Sequence, residues 1–198
     1  MAELRGLFKM VKKRVILVHG WGGDSLSDWI PWLKEELENR NFDVISPDMP
    51  NTENPKIEEW VNHLNKVIKN PDYNTYFVGH SIGCQAIMRY IEKLPREVKI
   101  GGLLFVAGWF NLQNLETEEE ISIAKPWIET LINFNNVYKK VESILVIISD
   151  DEPFGFVVEN SKMFREKLGA KVFIAKSQGH FNKNKAPLVL NKFLEMSK

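Results

Sequence analysis

The chain has 198 residues, of which 26 are Lys or Arg and 26 are Asp or Glu, and 44% are hydrophobic. A zero formal charge steers nothing toward nucleic acid or an anionic membrane, and a chain of this length buries a sizeable core without disulfide staples. The single Cys84 has no partner within the chain, and no CxxC or HExxH spacing marks a metal site, so a reducing cytoplasm, no metal and a small neutral ligand are expected.

The basic residues Lys9, Lys12, Lys13 and Arg14 precede an apolar run, residues 15–19, that is too short for a signal peptide. Residues 14–18 read as a first strand. Residues 29–40 read as an amphipathic helix, with Ser27 as its N-cap and Pro31 in the first turn. A short strand is expected over 43–46. Apolar positions Ile57, Trp60, Val61, Leu64, Val67 and Ile68 then form a helical stripe over 57–69. A strand over 75–78 leads into a helix over 82–94, and 102–107 is the next strand. Gly101, Gly102 and Gly108 break the later apolar run well short of a membrane span. Residues 109–141 contain no strand and read as a small cap, a loop plus one helix around Trp127, Leu131 and Phe134. A buried strand over 143–149, a helix over 157–168, a strand over 171–175 and a helix over 187–196 complete the chain. Strands alternating with helices in this way predict one α/β domain, residues 1–198, with a mainly parallel sheet of about six strands covered by helices on both faces.

The strand at 75–78 ends in Gly79-His80-Ser81-Ile82-Gly83 and turns straight into a helix. A serine hydroxyl is a poor nucleophile unless it is held exposed, beside a base, with backbone N–H groups ready for an oxyanion, and a sharp strand-to-helix turn meets those needs. Glycine is required two residues before and two after the serine, because the backbone is strained there and a side chain would strike neighbouring elements. Ser81 as a plain helix N-cap leaves both glycines unexplained. In an α/β-hydrolase the acid and the histidine follow in loops after later strands. Here the strand over 143–149 runs into Asp150-Asp151-Glu152, and the strand over 171–175 is followed by Ser177-Gln178-Gly179-His180. His180 is the expected base for Ser81.

The loop His19-Gly20-Trp21-Gly22-Gly23 after the first strand places the Trp21 N–H beside that of Ile82 as the expected oxyanion hole. Gly20 and Gly22 also match the start of G-x-G-x-x-G, but Ser25 stands at the third glycine, so no dinucleotide cofactor is expected. His19 and His80 read as packing or supporting residues, His63 as a surface residue and Cys84 as core. Trp109, Phe110, Trp127, Phe134, Phe154 and Phe156 are core residues or the lining of an apolar acyl pocket.

These segments together resemble the small α/β-hydrolases of the retinoblastoma-binding-protein-9 and YdeN type, a serine hydrolase family. The matching stretches are residues 15–23, 42–50, 78–90 with Met88-Arg89-Tyr90, Lys125-Pro126-Trp127, 149–154 and Gly179-His180-Phe181. The resemblance implies a sheet without the first strands of larger hydrolases and a triad of Ser81, His180 and an acid within 150–152. Family members carry Asp immediately before the Pro-aromatic pair, where this chain has Glu152 before Pro153-Phe154. Asp151 is taken as the acid because it suits the common distance from the strand end. Glu152, favoured by an ungapped comparison, is the alternative. The expected reaction is hydrolysis of a small or medium carboxylic ester through an acyl-serine. The alternatives are an acyltransferase or thioesterase, or a non-catalytic interaction module on the same fold.

Overall fold

The structure, a computed structural model, describes residues 12–198, so Lys9 lies outside the described residues. Six strands form one sheet: β1 (Arg14–Val18), β2 (Asp43–Ile45), β3 (Thr75–His80), β4 (Ile100–Val106), β5 (Val141–Ser149) and β6 (Lys171–Ala175). Their order is β2-β1-β3-β4-β5-β6, and all five pairings are parallel. The connecting helices are α1 (Ile30–Glu38), α2 (Ile57–Val67), α3 (Ile82–Lys93), α4 (Glu118–Glu129), α5 (Phe134–Tyr138), α6 (Val157–Leu168) and α7 (Pro187–Met196).

Successive strand residues point to opposite faces, and here each face has its own core. Ile16, Val18, Phe77, Leu103, Phe105, Val146 and Ile148 pack with residues of α2, α3 and α6. Val15, Leu17, Val78, Leu104, Val106 and Ile147 pack with residues of α1 and α7. Burial on both faces is why the central strands read as unbroken apolar runs rather than alternating ones.

The strand order reverses at β1, whose successor β2 lies on one side and β3 on the other. Loops leaving the C-terminal ends of β1 and β3 therefore diverge and open a crevice, the usual place for a ligand in an open parallel sheet. Residues 19–23 and Ser81 occupy those two loops.

Three expectations about the elements are corrected. β4 begins at Ile100, because Gly101 is a packing requirement and no break: a Cβ there would lie 2.4 Å from the Tyr73 carbonyl oxygen. Ser27 does not cap α1, which starts at Ile30 after Trp29. The Ser27 hydroxyl instead donates to Asp24 Oδ1 at 2.8 Å and accepts from the Asp24 N–H at 3.0 Å. The segment expected as a cap, residues 109–141, holds two helices in place of one, and β5 begins at its end, at Val141. Thr117 and Glu120 form a reciprocal capping box that starts α4, and Asn133 caps α5 by accepting from the Asn136 N–H.

A buried arginine ties the end of α4 to α3. Arg89, on α3, is 2% exposed and donates to the carbonyl oxygens of Trp127 at 3.0 Å and Thr130 at 2.8 Å, where α4 ends. It thus supplies donors and positive charge to a helix C-terminus whose last carbonyls have no partner within the helix.

Candidate active site

Ser81 joins β3 to α3 with φ 53° and ψ −122°, a backbone conformation that L residues rarely hold. Packing enforces it. A Cβ on Gly83 would lie 2.5 Å from the Val18 carbonyl oxygen, and one on Gly79 would lie 2.9 Å from the Cys84 nitrogen. The Ser81 N–H donates to the Val106 carbonyl at 2.9 Å, so the neighbouring strand also holds the turn. Cys84 is buried beneath it, and that burial pushes the thiol pKa up, consistent with a packing role.

The loop after β6 is held by the loop after β5, almost residue by residue. Asp150 accepts from the Ser177 N–H at 2.9 Å, Ser149 Oγ from the Gln178 N–H at 2.8 Å and Asp151 from the Gly179 N–H at 2.8 Å. The next pairing is the chemical one: His180 Nδ1 lies 2.6 Å from Glu152 Oε1. Asp151, the acid preferred from strand-end spacing, is therefore corrected. Its Oδ1 is occupied by Gly179 and by the Ser149 hydroxyl at 2.5 Å, and those hydrogen bonds hold its pKa below the usual carboxylate value. Glu152 and His180 are both largely enclosed, at 6% and 10% side-chain exposure, so their interaction is poorly screened. The Phe154 ring meets the imidazole edge-on at 4.9 Å.

His80 supports the same loop from below. Its Nε2 donates to the His180 carbonyl at 2.8 Å, and its ring packs on Trp29. Burial first, and the nearby His180 second, lower its pKa to about 3, so it stays neutral. His19 fixes the opposite wall: its Nε2 accepts from the Met49 N–H at 3.0 Å and its Nδ1 donates to the Gly20 carbonyl at 2.8 Å. Burial lowers its pKa too, and the neutral tautomer satisfies both bonds.

The Trp21 indole donates to the Glu53 carbonyl, and the Gly22 N–H to the Thr52 carbonyl, which pins the loop after β1. Gly20 lies against Ser81, since a Cβ there would stand 3.4 Å from Ser81 Cβ. Among the described residues neither the Trp21 nor the Ile82 backbone N–H donates to a protein acceptor. Ile82 heads α3, whose N-terminal end carries partial positive charge.

Ser81, His180, Trp21 and His80 line one cavity of about 330 Å³. Trp109, Leu112, Leu115 and Phe154 supply apolar wall, and Asp28, Glu53 and Glu120 supply carboxylates, with no lysine or arginine among the described residues. Burial raises the Asp28 pKa. Of the six aromatics named from sequence, only Trp109 and Phe154 reach this cavity, while Phe110 and Trp127 are buried in the core. Sequence reasoning missed two contacts. Asp28 Oδ2 faces His80 Nδ1 at 3.8 Å, and the Trp109 indole N–H donates to Ser81 Oγ at 3.3 Å. The resting serine hydroxyl has this indole, and not His180, as its hydrogen-bond partner. Among the described residues no cluster of His, Cys, Asp and Glu is arranged to hold a metal, and no helix is long and apolar enough to cross a membrane.

The family profile described as "Serine hydrolase" matches residues 15–187. The chain belongs to the serine hydrolase family. YdeN of Bacillus subtilis (strain 168) is 30% identical over 173 residues, covering 85% of this chain and 86% of that one. Serine hydrolase RBBP9 of Rattus norvegicus is 25% identical over 172 residues, covering 85% and 87%. The crystal structure of the B. subtilis ydeN gene product superposes with a TM-score of 0.84, at 25% identity over 93% of this chain and 98% of that one. The monoacylglycerol lipase of Paleococcus ferrophilus shares the fold at a TM-score of 0.69 and 17% identity, over 92% of each chain. This serine hydrolase therefore has the α/β-hydrolase fold expected of it, with six parallel strands among the described residues.

Proposed function

We propose that this family member hydrolyses a small or medium carboxylic ester, or a related acyl compound, through an acyl-Ser81 intermediate. The observation that carries the reading is the His180–Glu152 pair at 2.6 Å, whose imidazole lines the same cavity as a serine held in a strained elbow. When substrate enters, the Ser81 hydroxyl donates to His180 while Oγ keeps accepting from the Trp109 indole. Nε2 of His180 takes the hydroxyl proton as Oγ bonds to the acyl carbon, and later returns a proton to the leaving alcohol. Water then repeats the attack. Glu152 fixes the imidazole tautomer and steadies its charged form. The Trp21 and Ile82 N–H groups receive the tetrahedral oxyanion, each such donor contributing roughly 3 kcal/mol where removal has been measured in other hydrolases.

A cavity of about 330 Å³ with an apolar wall supports small or medium acyl groups. A cytoplasmic location, expected from cysteine usage, belongs to the same reading. The test is p-nitrophenyl ester hydrolysis with fluorophosphonate labelling, wild type beside Ser81→Ala. Turnover and labelling that both vanish in the variant support the mechanism. A wild type that neither turns over nor labels overturns it in favour of a binding role on the same fold.

A further inference from the structure

Trp109 is 3% exposed, so its indole N–H is a donor that burial obliges to find an acceptor, and that acceptor is Ser81 Oγ. The ring cannot easily turn away. The Trp109 carbonyl accepts from Gln85 Nε2 at 2.9 Å, and Gln85 Oε1 accepts in turn from Arg89. Ala107, two residues earlier, is held at φ 50° with its N–H on the Ile147 carbonyl. At Gly108 a Cβ would come within 3.1 Å of Cys84 Sγ and 3.0 Å of the Phe164 ring. Bonds and packing around residues 107–109 therefore converge on one indole position beside the nucleophile.

We propose that the Trp109 indole N–H is a catalytic hydrogen-bond donor to Ser81 Oγ, acting chiefly in deacylation. The inference rests on the acyl-serine reading above. In the acyl-enzyme, Oγ is the alkoxy oxygen of an ester and a weak acceptor. Water attacks the acyl carbon and gives a proton to His180 Nε2. The tetrahedral adduct then collapses: the carbon–Oγ bond breaks, its electron pair goes to Oγ, and the proton on Nε2 passes to that oxygen. Charge gathers on Oγ during this collapse, so an N–H already aimed at it binds the transition state more strongly than the acyl-enzyme. Trp109 keeps its own proton throughout. In acylation the starting oxygen is a free hydroxyl, already a good acceptor, so the same bond gains less.

The experiment is pre-steady-state hydrolysis of p-nitrophenyl acetate by wild type, Trp109→Phe and a protein carrying 3-benzothienylalanine at position 109, which keeps the ring shape and lacks the N–H. Both replacements are expected to show a burst of one p-nitrophenolate per enzyme followed by deacylation slowed on the order of 10- to 100-fold, the range for a charge-assisted hydrogen bond. The acylation rate and fluorophosphonate labelling are expected to stay within about threefold of wild type, since the hydroxyl needs this donor less. Equal slowing of both steps, or a benzothienyl protein that deacylates like wild type, overturns the role of the N–H. Ser81→Ala runs alongside. Full turnover in that variant sinks the acyl-serine reading itself, whereas an inert Ser81→Ala with unslowed deacylation in the Trp109 variants sinks only this proposal.

Discussion

Glu152 Oε1 lies 2.6 Å from His180 Nδ1, while the neighbouring Asp151 spends its carboxylate on the Gly179 backbone and the Ser149 hydroxyl. Two adjacent acids thus do different work. Glu152→Gln is expected to lower kcat on the order of 10³-fold or more, because an amide can stabilise the wrong imidazole tautomer and cannot neutralise the charged ring. Asp151→Asn loosens a loop and is expected to stay within about tenfold, the scale of one neutral hydrogen bond. Steady-state kinetics on a p-nitrophenyl ester separates them, and the reverse ranking would return the acid's role to Asp151.

The glycines packed around Ser81 divide into two kinds. A methyl group at Gly83 would sit 2.5 Å from one backbone oxygen and 2.7 Å from another, neither of which is free to move. Gly83→Ala is expected to cost about 2 kcal/mol or more, read as a lowered urea midpoint. At Gly20 the tightest approaches are 3.3 Å to His80 and 3.4 Å to Ser81. Gly20→Ala is expected to fold with nearly wild-type stability and to lose activity, because the added methyl crowds the nucleophile itself.

Buried imidazoles set a pH window for stability. His80, lowered from the ordinary 6.5 to about 3, and His19, also lowered, bind protons less tightly in the fold than in the unfolded chain. Their contribution is complete above pH 6.5 and is lost as pH falls toward the folded values. Urea midpoints are expected to drop steadily from pH 7 to pH 4. In His80→Gln, which retains an N–H for the His180 carbonyl, the drop is expected to be shallower. An unchanged slope would show that His80 does not set the window.

Substrate charge is the next readout. The cavity is lined by Asp28, Glu53 and Glu120 and, among the described residues, by no lysine or arginine, although the chain as a whole is neutral by formal charge. A p-nitrophenyl hemisuccinate is expected to show kcat/KM roughly tenfold below that of the uncharged p-nitrophenyl pentanoate at low salt, narrowing in about 0.5 M NaCl as the field is screened. A gap that ignores salt would assign the preference to shape.

Removing the guanidinium of Arg89 leaves the carbonyls of Trp127 and Thr130 without their donor inside the protein. Arg89→Met is expected to destabilise by about 2–4 kcal/mol. Faster amide exchange is expected over residues 117–138, with β1 and β3 less affected. Uniform acceleration would mean that Arg89 serves the whole core and not the cap.

The sheet was legible because parallel strands buried on both faces appear as unbroken apolar runs, and residues 14–18, 157–168, 171–175 and 187–196 match their elements end for end. The serine and histidine loops were legible because chain order alone places them at strand ends. The acid was not, because the side chain that meets His180 is chosen by how residues 149–152 are bonded to residues 177–180, and adjacent carboxylates look alike in sequence. Ser27 failed as a cap because Asp24, three residues earlier, is a competing partner for its hydroxyl. Trp109 reaches Ser81 only through the pairing of His80 with Val106, a register that no local pattern encodes.

Arg89 sits on the helix that follows Ser81, yet two of its hydrogen bonds reach across to the end of α4. Sequence drift in residues 111–134 can reshape the wall that a substrate meets, but every successor must still present two carbonyl oxygens to the same buried cation. Changes in selectivity are thereby filtered through folding: a new cap is admitted by its main-chain path before its side chains are ever tried against a substrate.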